Sequence, residues 1–340
     1  MNKPLQSLAL TLTTAAALAL PSLAHAQSAD APLLNASYDV SRELYKSINP
    51  AFAAQWKAKT GKTLVINQSH GGSSKQIGAI IGGLEADVVT MNQATDIDAL
   101  AEKGLTSTDW RQRFPHNAAP YSSTILFLVR KGNPKGIKDW NDLARAGVQV
   151  IIPNPKVSGN GRYSYLAAWG SVLAKGGSEA QARDLVSKIF ANVPVLDGGG
   201  RGATTTFTQR DIGDVLLTFE SEAELIENEF GKGKFEVVNP SVSVEADAPV
   251  AVVDKVAAKK GTAIVAKAYL DFLYSPEAQE IIAKNNMRPR DPAVFKRNQS
   301  RFAPIKLFSI DQLLGGWTKV NKIHFADGGQ YDQIVAAIKR

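Results

Sequence analysis

The chain has 340 residues, 44% of them hydrophobic and 21% charged, and no cysteine. That length exceeds one ordinary core, so two domains are expected, and the composition is that of a globular chain. The formal net charge of +7 is spread out, with no run of five or six basic residues, which argues against nucleic-acid binding; the lack of cysteine excludes disulfides, thiolate metal sites and cysteine nucleophiles.

Residues 1–26 read as a cleaved secretory signal. Lys3 supplies a positive start, Leu5 to Leu20 an Ala/Leu/Thr-rich stretch, and Ala24-His25-Ala26 an A-x-A cleavage site, so the mature chain is expected to begin at Gln27. No later segment reaches about 18 consecutive apolar residues, so an exported, soluble chain is expected. From there strands and helices alternate. "PLLNASYD" is a buried strand with its exit loop. In "SRELYKSINPAFAAQWKAKT", Leu44, Ile48, Phe52 and Trp56 fall four apart, one apolar helix face, with Ser41 as N-cap and a kink expected at Pro50. "KTLVINQS", "ADVVTMN", "STILFLVRKGNP" and "VQVIIPNP" are strands; "ARDLVSKIFANV" is a helix and "VPVLD" a strand. "DVLLTFESEAELI" passes from strand to helix, "APVAVVDKV" is a strand, and "AIVAKAYLDFLYSPEAQEIIAKNN" is two helices broken at Ser275-Pro276.

This alternation implies an α/β fold with a mostly parallel sheet. The long apolar strands near 123–129 and 248–253 are read as two crossings between lobes. That gives a first lobe of residues 27–118 plus 250–340 and a second lobe of residues 119–249.

Three loops are of one kind: a strand, a glycine-containing turn, then a helix start. They are "INQSHGGSSKQIGAIIGG", "VQVIIPNPKVSGNGRYSYLAAWG" and "VPVLDGGGRGATTTFTQR". Such turns lie at the carboxyl ends of strands, where open α/β sheets bind ligands. The first turn of a helix has N–H groups without internal partners and carries roughly half a positive charge. Glycine lets an anion approach that backbone closely. Three such ends meeting would cage a small anion without lysine or arginine. The hydroxyls of Ser73, Ser74 and Ser158 add donors, and the same serines also suit helix capping. A site made of donors favours a fully ionised tetrahedral oxyanion over phosphate, which keeps a proton part of the time. Asp39, Asp197 and Arg201 are read as groups that fix the loop peptides.

Other chemistries fit less well. Gly198-x-Gly200-x-x-Ala203 after a strand, with Glu220 about 20 residues on, matches a dinucleotide fingerprint and makes an exported oxidoreductase the best enzyme reading. The short helix ending near Arg210 speaks against it. His70, His116 and His324 are far apart with no metal-ligand spacing. His70 lies too close along the chain to Ser73 for a triad and is expected to orient loop backbone. No catalytic residue, metal or cofactor is expected.

At these residues the chain resembles the periplasmic sulfate- and thiosulfate-binding proteins of bacterial uptake systems. The resemblance rests on "LLNASYDVSRELY", "QSHGGSSKQ", "ADVVTMNQATD", "FLVRKGNPKGIKDWNDL", "IIPNPKVSGNGRYSYLAAWG", "GGRGATTTF", "IGDVLLTFESE" and "YLDFLYSPEAQEIIAKNNMRPRD", and covers nearly the whole mature chain. It implies a two-lobed periplasmic binding protein of type II topology, with a ligand cleft between the lobes. Such a protein hands sulfate or thiosulfate to the membrane permease and cytoplasmic ATPase of an ABC importer, as a monomer and without chemistry of its own. By position, the family's serine donor falls on Ser73, its Ser-Gly-Gly helix start on Ser158, Gly159 and Asn160, and its third-loop backbone donor on Gly200. Asp39, His70, Ser74, Gly161, Arg201 and Phe219 would surround them. The sulfate branch uses a tryptophan indole where this chain has Phe219. Together with Asn160, that resembles the thiosulfate branch, whereas "NNMRPRD" and "GGWTKVNKIHFADGG" resemble the sulfate branch. Both anions are expected to bind; molybdate and phosphate are the alternatives.

Overall fold

The computed structural model describes residues 30–230 and 233–338; the expected signal segment and Gln27 lie outside them. The strands, in chain order, are β1 (Leu33–Tyr38), β2 (Ile66–Gly71), β3 (Val88–Thr90), β4 (Tyr121–Ser123), β5 (Ile125–Arg130), β6 (Val150–Pro153) and β7 (Leu196–Asp197). They continue with β8 (Val215–Phe219), β9 (Phe235–Val238), β10 (Val242–Val244), β11 (Ala246–Asp247), β12 (Val250–Val252), β13 (Arg288–Pro289) and β14 (Lys306–Phe308). Two main sheets form, ordered β12-β3-β1-β2 and β7-β6-β8-β5-β9. The pairs β1–β2, β1–β3, β6–β7 and β6–β8 are parallel. The pairs β12–β3, β5–β8 and β5–β9 are antiparallel, so the sheets are more mixed than the sequence implies. The reason is connectivity. β5 and β12 are reached from the short strands β4 and β11, not through a crossover helix, so nothing forces them parallel. β4 pairs antiparallel with both β11 and β13 in a small sheet between the two larger ones.

The long apolar run of β5 follows from burial on both faces. Ile125, Phe127 and Val129 join the main core, while Leu128 faces a separate cluster with Ile151, Phe207 and Leu216. Successive side chains on a strand alternate sides, so a strand covered on both sides carries a continuous apolar run.

Helix Arg42–Thr60 buries Leu44, Ile48, Phe52 and Trp56, the face read from their spacing. Phe52 meets the rings of Tyr269 and Phe272 at 5.3 and 5.6 Å. Pro50 sits inside this single helix without ending it, and Gly61 closes it with φ 75°. Ser41 occupies the N-cap position but does not cap: its hydroxyl donates to the Tyr38 carbonyl at 2.7 Å, which draws it away from the helix amides.

The last part of the chain packs beside the second sheet. β14 pairs with β10, and helix Gln330–Ala337 lies against helix Glu179–Ala191. His324 and Phe325 pack on Tyr165 at 5.4 and 5.3 Å.

Candidate anion-binding site

The three glycine turns meet. β2 leads through Gly72 into helix Ser73–Ile81, β6 through residues 154–158 into helix Gly159–Leu173, and β7 through Gly198 and Gly199 into helix Gly200–Thr208. A Cβ placed on Gly72 would stand 3.5 Å from the carbonyl oxygens of both Val157 and Gly198, one from each of the other turns. The exit of β1 joins them. A Cβ on Gly199 would stand 3.0 Å from Asp39 Oδ2, and one on Gly200 would stand 3.2 Å from Val40 and 3.4 Å from Asn160 Nδ2. Parallel strands put their carboxyl ends at one edge, and here the carboxyl edges of the two sheets face each other. Three helix N-termini therefore direct unpaired N–H groups and partial positive charge toward one place.

The second turn is built for its role. Ser158 caps its helix, its oxygen accepting from the Gly161 N–H at 3.4 Å, which leaves the hydroxyl proton to donate elsewhere. Gly161 has no room for a side chain, since a Cβ would stand 2.9 Å from the backbone of Asn154 and Pro155. The Asn160 carboxamide is tied back, donating to Thr218 Oγ1 at 3.5 Å and accepting from Ser164 at 3.2 Å. What Gly159 and Asn160 offer a ligand is their backbone.

The first turn differs from the sequence expectation. The Ser73 hydroxyl donates to Asp96 Oδ2 and lies 3.3 Å from Met91 Sδ. Ser74 donates to Asp96 Oδ1 at 3.0 Å, and Gln93 donates to the same oxygen at 2.8 Å. A buried carboxylate attracts the nearest hydroxyls, so both serines here serve Asp96. Burial raises the Asp96 pKa; the hydrogen bonds from Ser73 and Gln93 and the charge of Arg162 oppose that rise. Arg162, from the second helix, donates to the Pro155 carbonyl at 2.9 Å and reaches Gln93 Oε1 at 3.5 Å.

In the third turn, the Arg201 N–H donates to Asp39 Oδ2 at 3.3 Å, and Asp39 Oδ1 accepts from the Val40 N–H at 3.1 Å. Asp39 thus fixes peptides of two turns, and burial raises its pKa against those hydrogen bonds. The Arg201 guanidinium points away, 3.6 Å from Glu222 and 3.4 Å from Glu229. Asp197 fixes the loop through its main chain rather than its carboxylate: its carbonyl oxygen accepts from the Asn154 N–H at 2.7 Å, while Oδ2 has no hydrogen-bond partner among the described residues.

His70 does not orient loop backbone. On β2, beside β1, its ring bonds Ser37 Oγ at 2.6 Å and Gln68 Oε1 at 2.5 Å. Burial, then the charge of Arg42, pushes its pKa down to about 4. Phe219 ends β8 against Tyr163, 5.9 Å between rings, and lines a small cavity with Tyr38, Asn92, Tyr121 and Ser123. Glu220 holds Arg288 in a buried two-point ion pair at 2.7 and 2.9 Å and accepts from the Ala303 N–H, so it is not free to bind a ribose. Helix Gly200–Thr208 is also short for a dinucleotide fold.

Sequence reasoning missed Asn92, Gln93 and Asp96. The signal was there: "ADVVTMNQATD" also leaves a strand at its carboxyl end, but it carries no glycine to mark a turn.

A family profile described as bacterial extracellular solute-binding protein matches residues 39–288. The thiosulfate-binding protein of Pseudomonas aeruginosa is 58% identical over 321 residues, covering 94% of this chain and 96% of that one. The sulfate-binding protein of Escherichia coli is 58% identical over 306 residues, covering 90% and 93%. The solved structure of the sulfate-binding protein SubI from Mycobacterium tuberculosis superposes with a TM-score of 0.78 at 31% identity, covering 86% of this chain and 98% of that one. With two facing α/β sheets, three helix starts at the junction and these relatives, the chain belongs to the bacterial extracellular solute-binding proteins, among the sulfate- and thiosulfate-binding proteins.

Proposed function

We propose that this protein captures sulfate and thiosulfate in the periplasm and presents them to the permease of an ABC importer. The observation that carries this reading is the meeting of Gly72, Val157 and Gly198, which brings three helix N-termini to one point. The donors are the backbone N–H groups of Gly159, Asn160 and Gly200 with the Ser158 hydroxyl; Ser73 contributes its backbone while its hydroxyl serves Asp96. Arg162 and Arg201 stay behind the turns, where they pair with carbonyls and carboxylates. Such a cage suits an anion without protons. In this reading the protein binds its ligand and releases it unchanged.

The two lobes divide as residues 27–118 plus 250–340 and 119–249, with the last thirty or so residues laid across the second lobe. Closure about the β4–β11 connection completes the cage, since its donors come from both lobes. Each hydrogen bond to a charged acceptor contributes roughly 1.5–3 kcal/mol, enough in sum for the −8 kcal/mol or so of a micromolar complex after closure. The secretory segment directs the chain to the periplasm, where it works as a monomer.

Isothermal titration of the mature protein with sulfate, thiosulfate, molybdate and phosphate tests this reading. Sulfate and thiosulfate are expected to bind and phosphate to bind far more weakly. Tightest binding of phosphate or molybdate would overturn the assignment.

A further inference from the structure

Asn92 follows β3 at its carboxyl end and is 6% exposed. Its carboxamide lies across the first residue of helix Gly159–Leu173. A Cβ on Gly159 would stand 2.6 Å from Asn92 Nδ2 and closer still to Oδ1. Oδ1 is buried without a hydrogen-bond partner among the described residues. A buried amide atom left unpaired costs about 1–3 kcal/mol, more than most sites tolerate without a purpose. Asn92 also lines the small cavity beside Phe219, and so does Ser123, whose hydroxyl is likewise buried and unpaired. Phe219 has no polar atom to offer at that wall.

We propose that Asn92 is a ligand-contacting residue, donating its carboxamide N–H to the bound oxyanion beside Gly159. This rests on the anion-binding reading above and extends its donor set to a side chain. The terminal amide torsion is broad and roughly two-fold, so the carboxamide turns its nitrogen toward negative charge without losing its packing on Gly159. Oδ1 then faces the cavity, where the Ser123 hydroxyl can supply a proton directly or through one water. The N-terminus of the second helix and this amide meet the anion from opposite lobes, so the contact forms fully on closure.

The test is calorimetric titration of wild type, Asn92→Leu and Asn92→Ala with sulfate and with thiosulfate, alongside thermal melts without anion. Losing a hydrogen bond to a charged acceptor is expected to weaken binding by about tenfold or more in both variants. The anion-free melting temperature of Asn92→Leu is expected to hold or rise, because a side chain with an unpaired buried oxygen is replaced by an apolar one of similar size. The alanine variant answers the question should leucine prevent folding. Affinities within twofold of wild type in the folded variants would overturn the contact while leaving the anion-binding reading intact. A wild type that binds neither anion would overturn both.

Discussion

Asp39 Oδ2, just past the end of β1, accepts the N–H of Arg201 at the start of the third helix, 162 positions along the chain. That bond joins the carboxyl edge of one sheet to the first turn of a helix on the other. It holds the first peptide of that helix against the end of β1. Asp39→Ala is expected to weaken sulfate binding by about tenfold, because the buried amide loses its partner and the turn its fixed direction. Titration calorimetry reads the effect; unchanged affinity would free Asp39 of any part in the site.

Gly159 and Gly161 make a contrasting pair two residues apart. An added methyl at Gly161 meets the backbone of Asn154 and Pro155, which cannot step aside. Gly161→Ala is expected to lose about 1–3 kcal/mol of stability. At Gly159 the obstacle is the Asn92 side chain, which can rotate away. Gly159→Ala is therefore expected to fold with a near-normal melting temperature and to bind anion poorly. Paired thermal melts and titrations separate the two; equal destabilisation would contradict the assignment of Asn92 as the yielding partner.

At the third turn, Gly200 lies within 3.2–3.4 Å of Val40 and Asn160 once a Cβ is added. Gly200→Val is expected to hold the lobes apart. Small-angle scattering of the variant should show no contraction on adding sulfate, where the wild type contracts. A full contraction would mean that the turn does not close on the site.

Ser158→Ala removes both the cap on the Gly161 N–H and the free hydroxyl donor. It is expected to cost about 1 kcal/mol of stability and to weaken anion binding. A stability loss with unchanged affinity would leave Ser158 as a cap alone.

Glu222 gives a pH prediction. Burial pushes its pKa up to about 7 from an ordinary 4.5, with Arg201 opposing. The folded protein therefore binds this proton more tightly than the unfolded chain. Its contribution to stability is complete below pH 4.5 and is lost as the pH rises toward 7. Relative to Glu222→Gln, the wild type should lose melting temperature over that window. A difference that does not change with pH would contradict the raised pKa.

Much of this was legible in the sequence, for definite reasons. The helix at 42–60 announced itself through Leu44, Ile48, Phe52 and Trp56, because its apolar face is fixed by local periodicity. The three turns were visible because glycine is needed where backbone meets backbone. What stayed hidden depends on contacts distant in sequence. Nothing near β5 says that it runs antiparallel to β8. Nothing near Ser73 says that Asp96 will accept its hydrogen bond, and nothing near Glu220 says that Arg288 will occupy it. Asn92 was hidden because it is an ordinary polar residue until Gly159 is brought beneath it.

The most direct measurement is the backbone amide spectrum of the isotopically labelled mature protein, recorded while sulfate is added to saturation. The account predicts the largest proton shifts, to low field, at the amides of Ser73, Gly159, Asn160 and Gly200. Shifts confined to exposed lysines and arginines, with those four amides unmoved, would contradict it.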